Sequence, residues 1–413
     1  MIRLAGRALL LVPCAVAALG AQRSIFVSPG GAVRTVAGGV AAARDGDTVV
    51  VGAGVYREPQ IVVGKRIVLV GAGDPVLDGQ ETHGLILVTA DDVTVRGLVL
   101  RNVGTSFVED RAAIRLEHVH GCMIDHDRIE NGFFGIYLAD VTDCRITSNV
   151  IHGEARRETE AGNGIHLWTS RRIVIADNRI SGQRDGIYFE FVHDSDVHRN
   201  LSTGNLRYGL HFMYSDGCRY VGNAFVHNGS GVAVMYTKGV EMDDNRFADN
   251  WGSAAYGLLL KEISDARLEG NIFAHNTTGL VADGANRIIA THNQFTNNGW
   301  AVRLEASTVD GRFERNNFVS NSFDVATNSR SPSTTFAGNY WDEYRGYDLD
   351  RDGTGDVPHR PVRLFSVLVE HQPASLILMR STFATLLDAA ERVMPSLTPD
   401  GLADARPAMR PIQ

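Results

Sequence analysis

Between Leu85 and Trp341 apolar and polar side chains alternate in short runs, such as Ile187, Phe189 and then Val197, and none carries the spacing of an amphipathic helix. Alternation by two in β-branched and aromatic residues predicts strands. The runs also repeat. The segment from Gly209 to Met213 is followed by Cys218 and Asn223, and the segment from Gly231 to Met235 by Val240 and Asn245. Asparagines stand at 149, 178, 200, 223, 245, 271, 293, 316 and 339, in steps of 29, 22, 23, 22, 26, 22, 23 and 23. A period this short predicts a solenoid whose coils bury a core only by stacking. Strands at this period, with Gly and Asn at the corners, predict an all-β, right-handed parallel β-helix of about 22-residue coils. The asparagines should stack at one corner as an amide ladder.

In chain order, Arg3 and Arg7 precede an apolar run from Ala8 to Leu19 that ends in small residues, the pattern of a signal peptide over 1–20. The chain is therefore expected to be exported to the periplasm. No later segment has the roughly 18 apolar residues that span a bilayer. Residues 24–341 form the predicted β-helix, and Thr35 to Ala43 a short helix that plugs its open end. Residues 342–362 are an Asp-rich loop, and 363–413 an amphipathic helical extension and an extended tail. A net charge of -8 argues against a nucleic-acid partner. Cys122, Cys144 and Cys218 share an inward column; an exported chain permits a Cys122–Cys144 disulfide, but buried thiols are the favoured reading.

Counting from each Gly-led strand, the second and fourth residues face outward. The first outward column reads Arg115, Tyr137, His166, Tyr188, His211, and the second Glu117, Ala139, Trp168, Glu190, Met213, Met235, Lys261. One position on stand Phe191, Tyr214, Tyr236 and Glu262. Imidazoles and thioethers suit copper, above all Cu(I). The expected transient copper ligands are His166, His211, Met213, Met235 and Glu190, with Trp168, Tyr188, Tyr214 and Tyr236 as a partner-binding or shielding wall. Two insertions, 153–162 and 251–256, precede Gly-led strands and are expected to wall the groove. Met242 should face the core.

Asp348, Asp350, Asp352 and Asp356 occupy positions 1, 3, 5 and 9 of a loop with Gly353 at position 6, which matches a Ca²⁺ loop except that His359 replaces the usual closing Glu. Ser375 to Val393 has helical spacing; Leu376, Phe383 and Leu387 on its stripe are expected to bind a partner.

The run from Asn339 to Phe365, with the tail through Arg406 and Pro411, resembles the C-terminal end of the NosD family. The resemblance covers nearly the whole exported chain. It implies a non-catalytic accessory protein in maturation of nitrous oxide reductase, helping to build its copper–sulfide cluster. It also implies an ABC-type ATPase and permease as partners, with a copper chaperone lipoprotein as donor and membrane contact only through a partner. The rival reading is a carbohydrate-active β-helix hydrolase, lyase or epimerase. It would need carboxylates paired across the scissile bond, whereas Glu190, Glu262 and Asp283 are spread over several coils.

Overall fold

A computed structural model describes residues 22–329, 333–379, 381–393 and 402–413. The expected signal peptide lies outside the described residues. Each coil is three short strands joined by three corners. In one coil these are Phe134–Ala139, Arg145–Thr147 and Val150–His152. Stacking the coils lays the strands into three parallel sheets of 12, 14 and 13 strands. The Gly-led strands lie together within the 12-stranded sheet, and their pairings keep the Gly-based register.

Alternation by two decides what is buried. In the Gly-led sheet Ile136, Ile165, Ile187, Leu210 and Val232 point inward and are wholly buried. A second interior file runs Phe225, Phe247, Phe273, Phe295, Phe318 and Trp341, with successive ring centroids 4.1–5.7 Å apart. Met242 is in the core, as expected. Cys122, Cys144 and Cys218 are buried free thiols, with the backbone N–H of Cys122 donating to Cys144 Sγ at 3.1 Å.

The amide ladder is present. Asn223 Oδ1 accepts from both the backbone N and the Nδ2 of Asn200 at 3.0 Å, while Asn223 Nδ2 donates to the Val197 carbonyl. A second ladder stands five residues after the first, at Asn205, Asn228, Asn250, Asn276, Asn298 and Asn321. Aspartates end the first ladder: Asp127 accepts from Leu98 N at one end, and Asp404 binds Asn339 at the other.

The N-terminal plug is α1 (Val36–Ala42), capped by Thr35 Oγ1. At the other end two expectations change. Residues 365–369 have helical spacing of their own, and α2 (Leu364–His371) forms there, but the single helix expected from Ser375 is broken: its start lies in a 3₁₀ turn, Pro373–Leu378, and α3 spans Thr382–Val393. Pro373 favours the separate turn because its ring cannot continue a helix from α2. The tail expected to be extended instead folds back on the last coil. Asp404 bridges Phe336 and Ala408 bridges Tyr340, both parallel, and Leu402 is buried. Covering the last coil hides its core and satisfies strand edges that would otherwise be exposed. α2 packs Phe365 and Val369 against Phe323 and is tied by Glu370 to Arg303 at 2.7 Å.

Candidate functional site

The site is the outer face of the Gly-led sheet. Register places Tyr137, His166, Tyr188 and His211 on successive strands, and beside them Ala139, Trp168, Glu190, Met213 and Met235. Adjacent strands lie about 4.8 Å apart. Glu190, Met213 and Met235 are therefore contiguous, with His211 one outward position before Met213 on the same strand. His166 is not contiguous with His211, because Tyr188 stands between them.

The two imidazoles have different surroundings. His166 stacks on Tyr137, centroids 4.5 Å apart, and lies 4.7 Å from the Tyr188 ring. Asn163 Nδ2 donates to its Nδ1 at 2.9 Å. Burial first, then the nearby positive charge of Arg184, lowers the His166 pKa to about 3, so the ring is neutral. With Nδ1 accepting, the neutral ring carries its proton on Nε2 and has no free lone pair for a metal.

His211 is 6 % exposed and packs against Tyr188 and Tyr208. Its Nδ1 lies 3.7 Å from Asp185 and 3.4 Å from Arg207 Nη2. Its Nε2 is buried without a hydrogen-bond partner. Asp185 is wholly buried; Arg207 grips both of its oxygens, one through Nε at 2.8 Å. Burial alone would raise the Asp185 carboxyl, but the bonds and charge of Arg207 outweigh it and hold the group below the usual carboxylate range. With its proton on Nδ1, toward Asp185, the ring presents the Nε2 lone pair; with Nδ1 accepting from Arg207, Nε2 carries the proton instead.

Around this core, Tyr188 OH donates to Glu190 at 3.2 Å. Phe191, Tyr214 and Tyr236 form a half-exposed stack at the next corner, with centroids 5.1–5.3 Å apart and planes within 13°. Their faces cover one another and their edges meet solvent. Trp168 is exposed beside Glu190. The 251–256 insertion delivers Tyr256, whose ring stacks on Tyr208 at 6.3 Å. Sequence reasoning missed Asn163, Asp185 and Tyr208, which occupy the outward position immediately before or at the start of each Gly-led strand. That position recurs with the same period and was there to be counted.

In the Asp-rich loop, oxygens of Asp348, Asp350 and Asp352 lie within 4.8 Å of one another. Asp356 is directed elsewhere, accepting from Leu349 N at 2.7 Å. Gly353 has φ +87°, the left-handed turn expected of it, and Arg406 pairs with Asp352 at 3.3 Å. At the C-terminal hairpin, Leu376 and Leu387 pack partly against the Phe323–Phe365–Val369 cluster. Phe383 is 44 % exposed and, with Leu364, Val367, Leu368 and Leu387, lines an apolar groove of about 350 Å³. No described helix is long and apolar enough to cross a membrane.

These features define a parallel β-helix protein with a soft-ligand face. A family model described as "Periplasmic copper-binding protein (NosD)" matches residues 150–346. A Pseudomonas aeruginosa protein named "Probable ABC transporter binding protein NosD" is 30 % identical over 350 residues, 81 % of this chain and 82 % of its own length. A Stutzerimonas stutzeri protein of the same name is 26 % identical over 352 residues, 81 % of this chain and 80 % of its own. The chain belongs to the NosD family. Among solved structures it resembles the Dettilon tailspike protein, with TM-score 0.57, 14 % identity, and coverage of 72 % of this chain and 65 % of that one. It also resembles the alginate lyase AlyF-OU02, with TM-score 0.54, 15 % identity, and coverage of 72 % and 80 %. At these identities the likeness is one of fold alone.

Proposed function

We propose that this chain is a periplasmic accessory protein for maturation of nitrous oxide reductase. It takes copper as cargo from a chaperone lipoprotein and passes it toward assembly of the copper–sulfide cluster, working with an ABC-type ATPase and permease. The observation that carries this reading is the unpaired Nε2 of His211 beside the contiguous Met213 and Met235. An imidazole and two thioethers form a ligand set suited to Cu(I). Glu190 borders them, and His166 with Tyr188 forms an adjoining wall rather than part of the innermost ligand set. The family's description as copper-binding and the relatives' names as ABC transporter binding proteins support the same reading. To test it, nitrous oxide reductase is matured in cells carrying either the parent chain or Met213→Leu/Met235→Leu, and its copper and sulfide are assayed. The reading expects a cluster-deficient reductase with the variant; full cluster content would contradict it.

Two further roles belong to this proposal. The groove beside Phe383 docks the permease, so Phe383→Asp should abolish co-purification with the permease while leaving the unfolding midpoint unchanged; retained co-purification would exclude the groove. Asp348, Asp350 and Asp352 hold Ca²⁺, so a ⁴⁵Ca overlay should be positive for the parent and negative for Asp348→Ala. Equal signals would exclude the loop. The carbohydrate-enzyme reading is disfavoured because Asp283 pairs with Lys261 at 3.6 Å and stands four strands from Glu190.

A further inference from the structure

The second amide ladder is open at its first rung. Gln183 heads it, its backbone N–H donating to Asn205 Oδ1 at 3.1 Å. Later rungs pair their amides, as when Asn205 Nδ2 donates to Asn228 Oδ1 at 2.9 Å. The side-chain amide of Gln183 pairs with nothing: both Oε1 and Nε2 are buried without a partner, and the residue is wholly buried. One coil earlier the ladder position falls on Glu154, five residues after Asn149 as Gln183 is five after Asn178. Glu154 belongs to the 153–162 insertion and is exposed. The insertion leaves the corner open, and Gln183 lines a cavity of about 590 Å³ with Glu81, Asn131, Phe133, Glu154 and Glu160.

The chemistry of this cavity restricts its occupant. Its lining contains no Lys, Arg or His. Glu160 is engaged by Arg157 at 3.7 Å and by the backbone N–H of Arg156. Glu81 and Glu154 have no side-chain hydrogen bond or ion pair among the described residues. These carboxylates do not converge as a chelate, since the one convergent group of His, Cys, Asp or Glu among the described residues is Asp348, Asp350 and Asp352. The demand is therefore for separated N–H donors carrying positive charge, not for a metal ion. Gln183 adds a donor and an acceptor on one planar amide, the complement of a peptide bond. Phe133 supplies an aromatic wall suited to a cation.

We propose that this cavity binds a basic peptide segment of a protein partner. An arginine or lysine side chain meets Glu81 and Glu154, and the segment's backbone amide pairs with Gln183. The site is independent of the thioether face, so either can fail alone.

The test is a bead-bound library of random heptapeptides probed with the full exported chain. Bound sequences should be enriched in Arg and Lys. An enriched peptide, measured by fluorescence anisotropy, should bind about tenfold more weakly to Glu81→Gln/Glu154→Gln, in line with the loss of charge-assisted hydrogen bonds. Both positions are exposed, so that variant should keep the parent's circular dichroism. Gln183→Ala should weaken basic and neutral peptides alike. Enrichment of acidic or uncharged peptides, no enrichment, or binding unaffected by the double substitution would each overturn the proposal.

Discussion

Asp404 closes the asparagine ladder on Asn339: its Oδ2 accepts from the Asn339 backbone N at 2.9 Å and from Asn339 Nδ2 at 3.1 Å. The same oxygen accepts from Trp341 Nε1, and Oδ1 accepts from Gly338 N and Arg406 N. Every group around this buried carboxylate is a donor. The residue is 65 positions from its partner, so the tail itself supplies the last rung.

Asp404→Asn should therefore destabilise the chain even though asparagine fills every rung between the two terminal aspartates. Its amide would set N–H against N–H, at a cost of about 2–3 kcal/mol. Urea unfolding should show a lower midpoint. An unchanged midpoint would contradict the capping role.

The opposite end predicts the opposite sign. Asp127 Oδ1 accepts from Leu98 N, as each ladder Oδ1 accepts from the preceding rung, and Oδ2 takes the amide nitrogen's place without a partner. Burial, only partly offset by the Leu98 bond, raises this carboxyl to about 8. The unfolded chain ionises near the ordinary value of 3.8 while the folded chain keeps its proton to about 8. This group's stabilising contribution is thus full below pH 4 and declines as pH rises to 8. Asp127→Asn should match the parent near pH 4 and exceed it by about 1–3 kcal/mol at pH 8. Equal stability of the two proteins at pH 8 would show that Asp127 is not held protonated.

His166 should stay neutral under mild acid. Its depressed pKa means that its contribution is present above 6.5 and lost as pH falls toward 3. In ¹H–¹⁵N spectra its ring should show no titration between pH 8 and pH 4.5. A midpoint near 6.5 for His166 would mean that the ring is solvated rather than sandwiched between Tyr137 and Tyr188.

The fold was legible because its determinants are local and periodic. The step from Asn200 to Asn223 to Asn245 sets the coil, and alternation by two sets the inward and outward columns. The same counting correctly placed His211, Met213 and Met235 on one face and Met242 inside. Asn205 and Asn228 were equally periodic, but they lay among other polar corner residues, where one amide looks like any turn residue. The pairing of Asp185 with Arg207 was harder to see: each sits where a corner meets a strand, and only stacking brings them together. The tail was illegible for a different reason. Pro-rich composition describes a local preference for extended chain, whereas the contact of Asp404 with Asn339 depends on where the last coil ends.

The claim that the face around His211 handles copper meets its most direct test in a competitive Cu(I) titration of the exported chain under reducing, anaerobic conditions, with a chromophoric chelator as competitor. The parent should withdraw one copper per chain, and Met213→Leu/Met235→Leu should weaken that binding by at least about a hundredfold, or ~2.7 kcal/mol. Identical stoichiometry and affinity in the two proteins would contradict the account.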